Sequence, residues 1–428
     1  VQTAMPNEVL LLKQAFDSAL EAAAPAVCLP PALKAYPRKP ALVLGTGKAA
    51  ASMTAAFCGH WDASTRGLVV TRYGHGLKAG ETSGGVEVVE AGHPSPDAAS
   101  LAAGARLLEL AAGARDGEYL ICLISGGGSS LAAAPLPPIT FEQKRAAANF
   151  LIRAGADVRE INCVRKHLSR IKGGRLAAAA HPARVITFVI SDVPGDEAGD
   201  VASGPTIADA TTQADARAIL ERYRYPELAE LLPVLRDPKR ETPKPGAAEF
   251  ANDEVHLIAT AATALDAAAK FLRGKGFDVL DLGDDLADEA QSLGRAHARL
   301  AKEQRASGRR VAIISGGETR VVLGEVGGRG GRGGRNTEYL ASLAIELDGC
   351  PGVCALAADT DGIDGHGDHA GAIVVPETLR HGAARGQSLA ALLARHDTYS
   401  YFDSGRCLLK TGPTRTNVND FRLILCQP

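Results

Sequence analysis

Ten short apolar runs, most of them continuous, are separated along this chain by alanine-rich helical stretches, and that rhythm restricts the fold more than any other feature. A strand exposed on one face alternates apolar with polar residues, whereas a strand covered on both faces reads as an unbroken apolar run. The runs fall at residues 41–46, 67–72, 86–91, 119–125 and 185–191, then at 255–260, 277–282, 310–315, 353–358 and 372–375. Residues 98–112 and 284–305 carry apolar side chains at helical spacing between them. Strands alternating with helices predict α/β architecture with parallel, doubly wound sheets.

At 428 residues the chain exceeds what one hydrophobic core usually supports, so two domains are expected. The polar, proline-containing segment 237–249 separates the two sets of strands and reads as a linker or long surface connection. This places the domains at 1–245 and 246–428, with residues 1–40, including an opening helix at 7–24, free to pack on the second. Aromatic residues are only 4%, so Ala, Leu and Val must build the cores. Forty-seven basic against 49 acidic residues leave no overall positive field for nucleic acid or an acidic membrane. No apolar run approaches the roughly 20 residues that span a bilayer, and the N-terminal stretch has no signal-peptide core. The eight cysteines are scattered without a C-x-x-C pair, which suits reduced cytoplasmic thiols better than disulfides or structural zinc. A cytoplasmic protein acting on a small molecule is expected, with a homodimer left open.

Chemistry concentrates in the loops that follow strands. In LGTGKAAASM (44–53), Gly45 and Gly47 allow a tight turn, and the helix that follows offers N–H groups to an anion. Lys48 stands at that helix start, where a cation gains nothing from the helix dipole; it is either functional or merely solvated. With Ala50 the stretch also matches G-x-G-x-x-A, and Arg72 at the next strand end could meet an NADP phosphate. In SGGGSS, Ser125, Gly126, Gly127, Gly128 and Ser129 put main-chain amides and hydroxyls where phosphate oxygens can approach, or else form a tight structural turn. No Gly-Lys-Ser/Thr follows, so this is not a Walker loop. The second half echoes it in SGGETR, with Gly316, Gly317, Glu318 and Thr319.

Residues 162–176 hold Val164, Leu168 and Ile171 at helical spacing, so a helix with one inward face is expected there. Its six basic residues in eleven positions, among them Arg165, Lys166 and Lys172, suit a phosphate or carboxylate, or a charged helix face near a Gly-Gly stop. Two acidic loops supply Asp192, Asp196 and Asp200, and Asp359, Asp361 and Asp364, as candidate Mg²⁺ neighbours or proton acceptors. The run 359–365 resembles a calcium loop, but Ala370 occupies the position that needs a Glu, which argues against calcium. His366 and His369 beside it read as solvated. GGRGGRGGRN (327–336) offers Arg329, Arg332 and Arg335 on a glycine track, bracketed by a strand and a helix, which favours an ordered anion loop over an RNA-binding tail. Backbone cradles, mobile cations and Mg²⁺ are what phosphoryl transfer needs.

Taken together, nine blocks in order resemble the glycerate 2-kinase family: GTGKA, GHPSPD, LISGGGSS, VRKHLSRIKGGRLA, ISDVPGD with ASGPT, SGGET, GRGGRN, AADTDGIDG and TGPT-TNVND. The likeness runs from about residue 43 to residue 420. It implies a Rossmann-like N-terminal domain facing a C-terminal α/β domain, with the active site in the cleft between them. It also implies ATP-dependent phosphorylation of D-glycerate to 2-phosphoglycerate with a divalent metal such as Mg²⁺. By the same resemblance Lys48 and Arg332 or Arg335 stabilise the transferring phosphoryl group, and the SGGGSS and SGGET loops line the cleft. Asp192 is a polar-site candidate; as base or metal neighbour, it and Asp361 follow from chemistry alone. Arg165, Lys166, Lys172 and Asn336 are expected to bind substrate. Arg415 departs from the family's usual Gly-Pro-Thr-Gly-Thr-Asn and adds a cation near that loop. Relatives also carry the label hydroxypyruvate reductase, so an NADP-dependent reductase is the alternative. Alanine at Lys48 or Arg335 is expected to cut turnover by orders of magnitude with the fold intact.

Overall fold

The computed structural model describes residues 7–115, 117–322, 331–365 and 367–428. They form two compact units, Pro25–Ile258 and Ala259–Pro428, the latter joined by the N-terminal residues up to Ala24. Within the first unit, six strands build one sheet: β1 (Ala41–Thr46), β2 (Thr65–Arg72), β3 (Val86–Ala91), β4 (Tyr119–Ser125), β5 (Arg184–Ile190) and β6 (Glu254–Ala259). Their order is β3-β2-β1-β4-β5-β6, with β1 to β5 paired in parallel. All seven residues of β4 and all six of β1 are buried, which explains their unbroken apolar runs. Leu42, Leu44, Leu120 and Ile124 pack with Leu107 and Ala111 of the helix Ala98–Ala112 in the core. The strand order reverses between β1 and β4, and in open α/β sheets the carboxyl ends at such a switch point form the ligand crevice.

Two expectations change here. The run at 255–260, expected to open the second domain, is the edge strand β6 of the first sheet. The supposed linker 237–249 is likewise part of the first unit. Glu241 accepts from His167 Nε2 at 2.9 Å, and Thr242, only 2% exposed, donates to Asp209 at 3.1 Å. Proline content marked a long connection correctly, but these buried contacts make it a strap rather than a hinge.

The second unit has β7 (Asp278–Asp281), β8 (Val311–Ser315), β9 (Val353–Asp359), β10 (Gly371–Val374), β11 (Leu408–Leu409) and β12 (Asp420–Cys426), in the order β11-β10-β9-β12-β8-β7. Only β7 and β8 pair in parallel; β12 runs antiparallel to both β8 and β9, and β10 antiparallel to β9. The expectation of a parallel sheet fails for this unit. Strand–helix alternation cannot reveal β12, which returns between β8 and β9 instead of adding at an edge. The N-terminal helix Asn7–Ala22 packs on the helix Ala261–Gly274, and Phe16 meets Phe421 with ring centroids 5.6 Å apart.

Candidate active site

In the first unit, the loops after β1 and β4 interlock because their strands are neighbours. Ala49 N–H donates to Ser125 Oγ at 3.0 Å, Lys48 N–H to Gly126 O at 2.9 Å, and Thr46 Oγ1 to Gly128 O at 3.2 Å. Gly47 has φ +142°, and a Cβ there would collide with the side chain and carbonyl of Ser125. Gly47→Ala is therefore expected to cost about 2 kcal/mol or more, read as a fall of several degrees in the thermal midpoint. Gly127 lies between the His93 ring and Lys48: a Cβ on it would be 2.9 Å from the ring and 3.2 Å from Lys48 Cγ. The amides of Gly126 and Gly127 donate to no acceptor among the described residues.

A third loop closes on this cradle. Ala202, Ser203 and Gly204 all sit at positive φ, 53°, 60° and 56°, a costly conformation for the two non-glycine residues. The strain is held by partners from several directions. Ser203 Oγ lies 2.6 Å from Ser129 Oγ and donates to Asn162 Oδ1 at 2.9 Å. Lys172 Nζ, 1% exposed, donates to Ala202 O at 3.2 Å, and the amides of Gly173 and Gly174 bond to Ser203 O and Gly204 O. Asp192 lies half-buried just beyond β5.

The helix expected across 162–176 is two pieces, Val158–His167 and Arg175–Ala180, separated by Gly173 and Gly174 at φ +59° and +81°. The basic cluster is accordingly divided. Lys166 is buried and paired with Asp209 at 3.4 Å and Asp200 at 3.6 Å, so its charge is spent inside the unit. Arg165, about 100° away around the helix, turns to a different neighbourhood with Lys172 and Ser129.

The second unit gathers its candidates around the amino end of β12. The register sets Asp420 against Asp359 and Arg422 against Ser315, between the loops that follow β8 and β9. Arg422, 1% exposed, donates to Gly316 O at 2.7 Å and to Asp420 Oδ2 at 2.8 Å. Gly316 N–H is taken by Gly283 O, and Gly317 (φ +102°) packs so closely on Leu286 that a Cβ would strike its backbone. Thr319 is buried within hydrogen-bond reach of Arg422 at 3.5 Å. Arg335 spreads its guanidinium over three carboxylates: Asp420 at 2.8 Å, Asp359 at 2.8 Å and Glu318 at 2.9 Å. Burial opposes its charge, but those carboxylates hold it well above its ordinary range.

Asn336, fully buried, donates to Asp420 at 2.7 Å. The helix Arg335–Leu347 would present a free N-terminus to an anion, yet Asp364 already fills it, accepting from the amides of Asn336 and Thr337 at 3.0 Å each. Burial works against the Asp364 carboxylate, but His369 and these amides keep its pKa below the usual value. His369, read from sequence as solvated, is 0% exposed, with Nε2 3.7 Å from Asp364. Asp361 is buried, and its carboxylate accepts from Ile363 N–H at 2.8 Å. Arg332 is exposed, with its guanidinium 3.8 Å from the Tyr399 ring. Arg329 and His366 lie outside the described residues.

Comparison with known proteins gives this arrangement its family. Residues 11–234 match the domain of unknown function DUF4147, and residues 311–420 match the MOFRL family. The chain is 40% identical over 364 residues to a D-glycerate 2-kinase of Thermotoga maritima, covering 83% of each protein. It belongs to the glycerate 2-kinase family. The solved structure of a Thermotoga maritima glycerate kinase superimposes with a TM-score of 0.85 at 36% identity, over 98% of this chain and 100% of that one. A putative hydroxypyruvate reductase of Agrobacterium vitis is also 46% identical, over 97% of this chain and 94% of that protein.

For a member of the glycerate 2-kinase family, the sequence located most of the loops but not what fixes them. Lys48, Gly45, Gly47 and the residues of SGGGSS come together, as do Arg335, Asn336, Glu318 and the acidic loop after β9. Arg422 and Asp420 escaped notice because β12 itself did. Arg415, noted from sequence only as an added cation, is 4% exposed and held at φ +66°. Its burial gives it a structural place that a loop position does not announce.

Proposed function

We propose that this chain transfers the γ-phosphoryl group of ATP to the 2-hydroxyl of D-glycerate, giving 2-phosphoglycerate and ADP. The observation that supports it most is the cradle at the switch point of the first sheet. There, the unspent amides of Gly126 and Gly127 lie beside the stem of Lys48, under a loop clamped in a strained conformation. Such a group of donors is already oriented before a phosphate arrives, which is where electrostatic catalysis gains most.

In this reading the 2-hydroxyl oxygen attacks the γ-phosphorus, the bond to the ADP oxygen breaks, and the hydroxyl proton leaves to a carboxylate. Lys48 and the Gly126 and Gly127 amides stabilise charge on the phosphoryl oxygens. Asp192 is the carboxylate offered beyond β5, as proton acceptor or as the protein ligand of magnesium. Among the described residues, no three His, Cys, Asp or Glu side chains converge as a metal-ligand set. That fits Mg²⁺ arriving on the nucleotide, since this ion commonly takes one or two carboxylates plus substrate phosphates and keeps its waters. When bound, it spreads the charge of the phosphates. Asp361, buried with its carboxylate accepting from Ile363, is the second candidate for this role. Arg332 has charge to offer the phosphoryl group, while Arg335 is compensated by three carboxylates and chiefly joins their loops. Gly316, Gly317, Glu318 and Thr319 then shape the loop rather than forming a second amide cradle.

The test is ADP release from ATP, Mg²⁺ and D-glycerate, with enolase added in parallel and phosphoglycerate mutase omitted. ADP together with phosphoenolpyruvate is the expected result. ADP without phosphoenolpyruvate would move the phosphate to the 3-hydroxyl, and no ADP from folded protein would sink the kinase reading.

The reductase alternative draws on the strand order, the Gly45–Gly47–Ala50 pattern and Arg72. In a dinucleotide fingerprint the second glycine leaves room for the pyrophosphate. Here the space at Gly47 is filled by Ser125, which argues against that ligand. Saturable NADPH binding, read by its fluorescence, would restore the alternative.

A further inference from the structure

The helix Phe141–Arg153 buries a lysine that no described residue neutralises. Thr140 caps its start, accepting from Gln143 N–H, and the spacing i, i+3, i+7 puts Lys144, Ala147 and Leu151 on the inward face. Lys144 is 8% exposed, and its Nζ has no hydrogen-bond partner among the described residues. It lines a cavity of about 60 Å³ together with Arg165, Lys172, Ser129 and Ser130. Arg145 stands at the exposed rim, and among the described residues no Asp or Glu lines the space. Each cation makes the others more expensive. Burial, then Arg165 and Arg175, pull Lys144 down to about 7; burial, then Lys144 and Arg165, hold Lys172 well below its usual range.

A group of buried like charges without a counter-ion is destabilising unless something repays it. With about 60 Å³ of space and a cationic lining, the cavity suits a small oxyanion such as a carboxylate. Ser129 and Ser130 lie in the short helix Gly128–Leu131, which begins directly after Gly127, so the cavity and the Gly126–Gly127 amides flank one short stretch of chain. We propose that this pocket seats the carboxylate of the acceptor hydroxy acid, with Lys144, Arg165 and Lys172 as its counter-ions. The assignment rests on the kinase reading and adds Lys144 as a substrate-binding residue.

Lys144→Met and Arg165→Met, each checked for folding by its thermal midpoint, would be compared with wild type in two assays. One is steady-state kinetics. The other is titration calorimetry of nucleotide-free protein with sodium D-glycerate and, separately, inorganic phosphate. The expected result is a KM for D-glycerate raised about tenfold or more in both variants, a KM for ATP little changed, and loss of the D-glycerate heat. An unchanged KM for D-glycerate in both folded variants overturns the proposal. So does a raised KM for ATP with phosphate, not D-glycerate, binding in a Lys144-dependent way, because the pocket would then serve a phosphoryl group. A wild-type protein that binds D-glycerate through Lys144 but never phosphorylates it would keep the carboxylate site while the kinase reading fell.

Discussion

Lys48→Ala is expected to lower kcat for D-glycerate phosphorylation about 10²–10³-fold, the usual cost of removing one oriented donor from a developing oxyanion. The thermal midpoint should hardly move. Lys48 precedes the helix Ala50–Cys58, where the macrodipole disfavours a cation, so the helix itself gains nothing from its charge. Its stem touches the cradle at Gly127, and its own amide, bonded to Gly126 O, survives the substitution. ADP release measured over a matrix of ATP and D-glycerate concentrations separates the cases. A fall in kcat and in kcat/KM together marks an interaction made in the transition state, whereas a rise in KM alone marks ground-state binding. Wild-type turnover would remove Lys48 from the chemistry altogether.

That prediction could be framed from sequence because parallel strands put all their following loops on one edge. Once β1 and β4 are recognised as buried runs, GTGK and SGGGSS must be neighbours if the strands are, and β1 and β4 pair along their whole length. What could not be read was direction. Arg165 and Lys166 look equivalent in a basic run, but one helical step sends Lys166 to Asp200 and Asp209 and leaves Arg165 on the cavity. Lys144 is harder still. It lies among Glu, Gln and Arg residues typical of a solvated helix, and only the spacing to Ala147 and Leu151 hints at burial. In the second unit the difficulty is topological. β12 carries Asp420 and Arg422 within an otherwise apolar run, and its insertion between β8 and β9 depends on pairing partners far away in sequence. Asp420, the partner that ties Arg335 to β12, therefore remained invisible, although Arg335, Glu318 and Asp359 did not.

Those partners alter what an Arg335 substitution should do. Arg335→Ala is expected to abolish most turnover and also to destabilise the second unit by about 3 kcal/mol, the scale of breaking a buried ion pair from one side. The Arg335 side chain is 23% exposed, whereas the carboxylates of Asp420 and Asp359 are 0% and 6% exposed; without the guanidinium Asp420 keeps Arg422 and Asn336, but the two buried carboxylates lose the cation that joins them to each other and to Glu318. Arg335→Lys should recover only part of the loss, since one ammonium cannot span three carboxylates as the planar fork does. Arg332→Ala provides the contrast: its exposed guanidinium rests on Tyr399, so its removal should leave stability near wild type. Denaturant midpoints beside kcat for the three variants decide between the arginines. Lost turnover with a normal midpoint in Arg332→Ala places that residue at the phosphoryl group. Lost turnover with a normal midpoint in Arg335→Ala would instead show that the carboxylate cage tolerates its loss, and would return Arg335 to the chemistry.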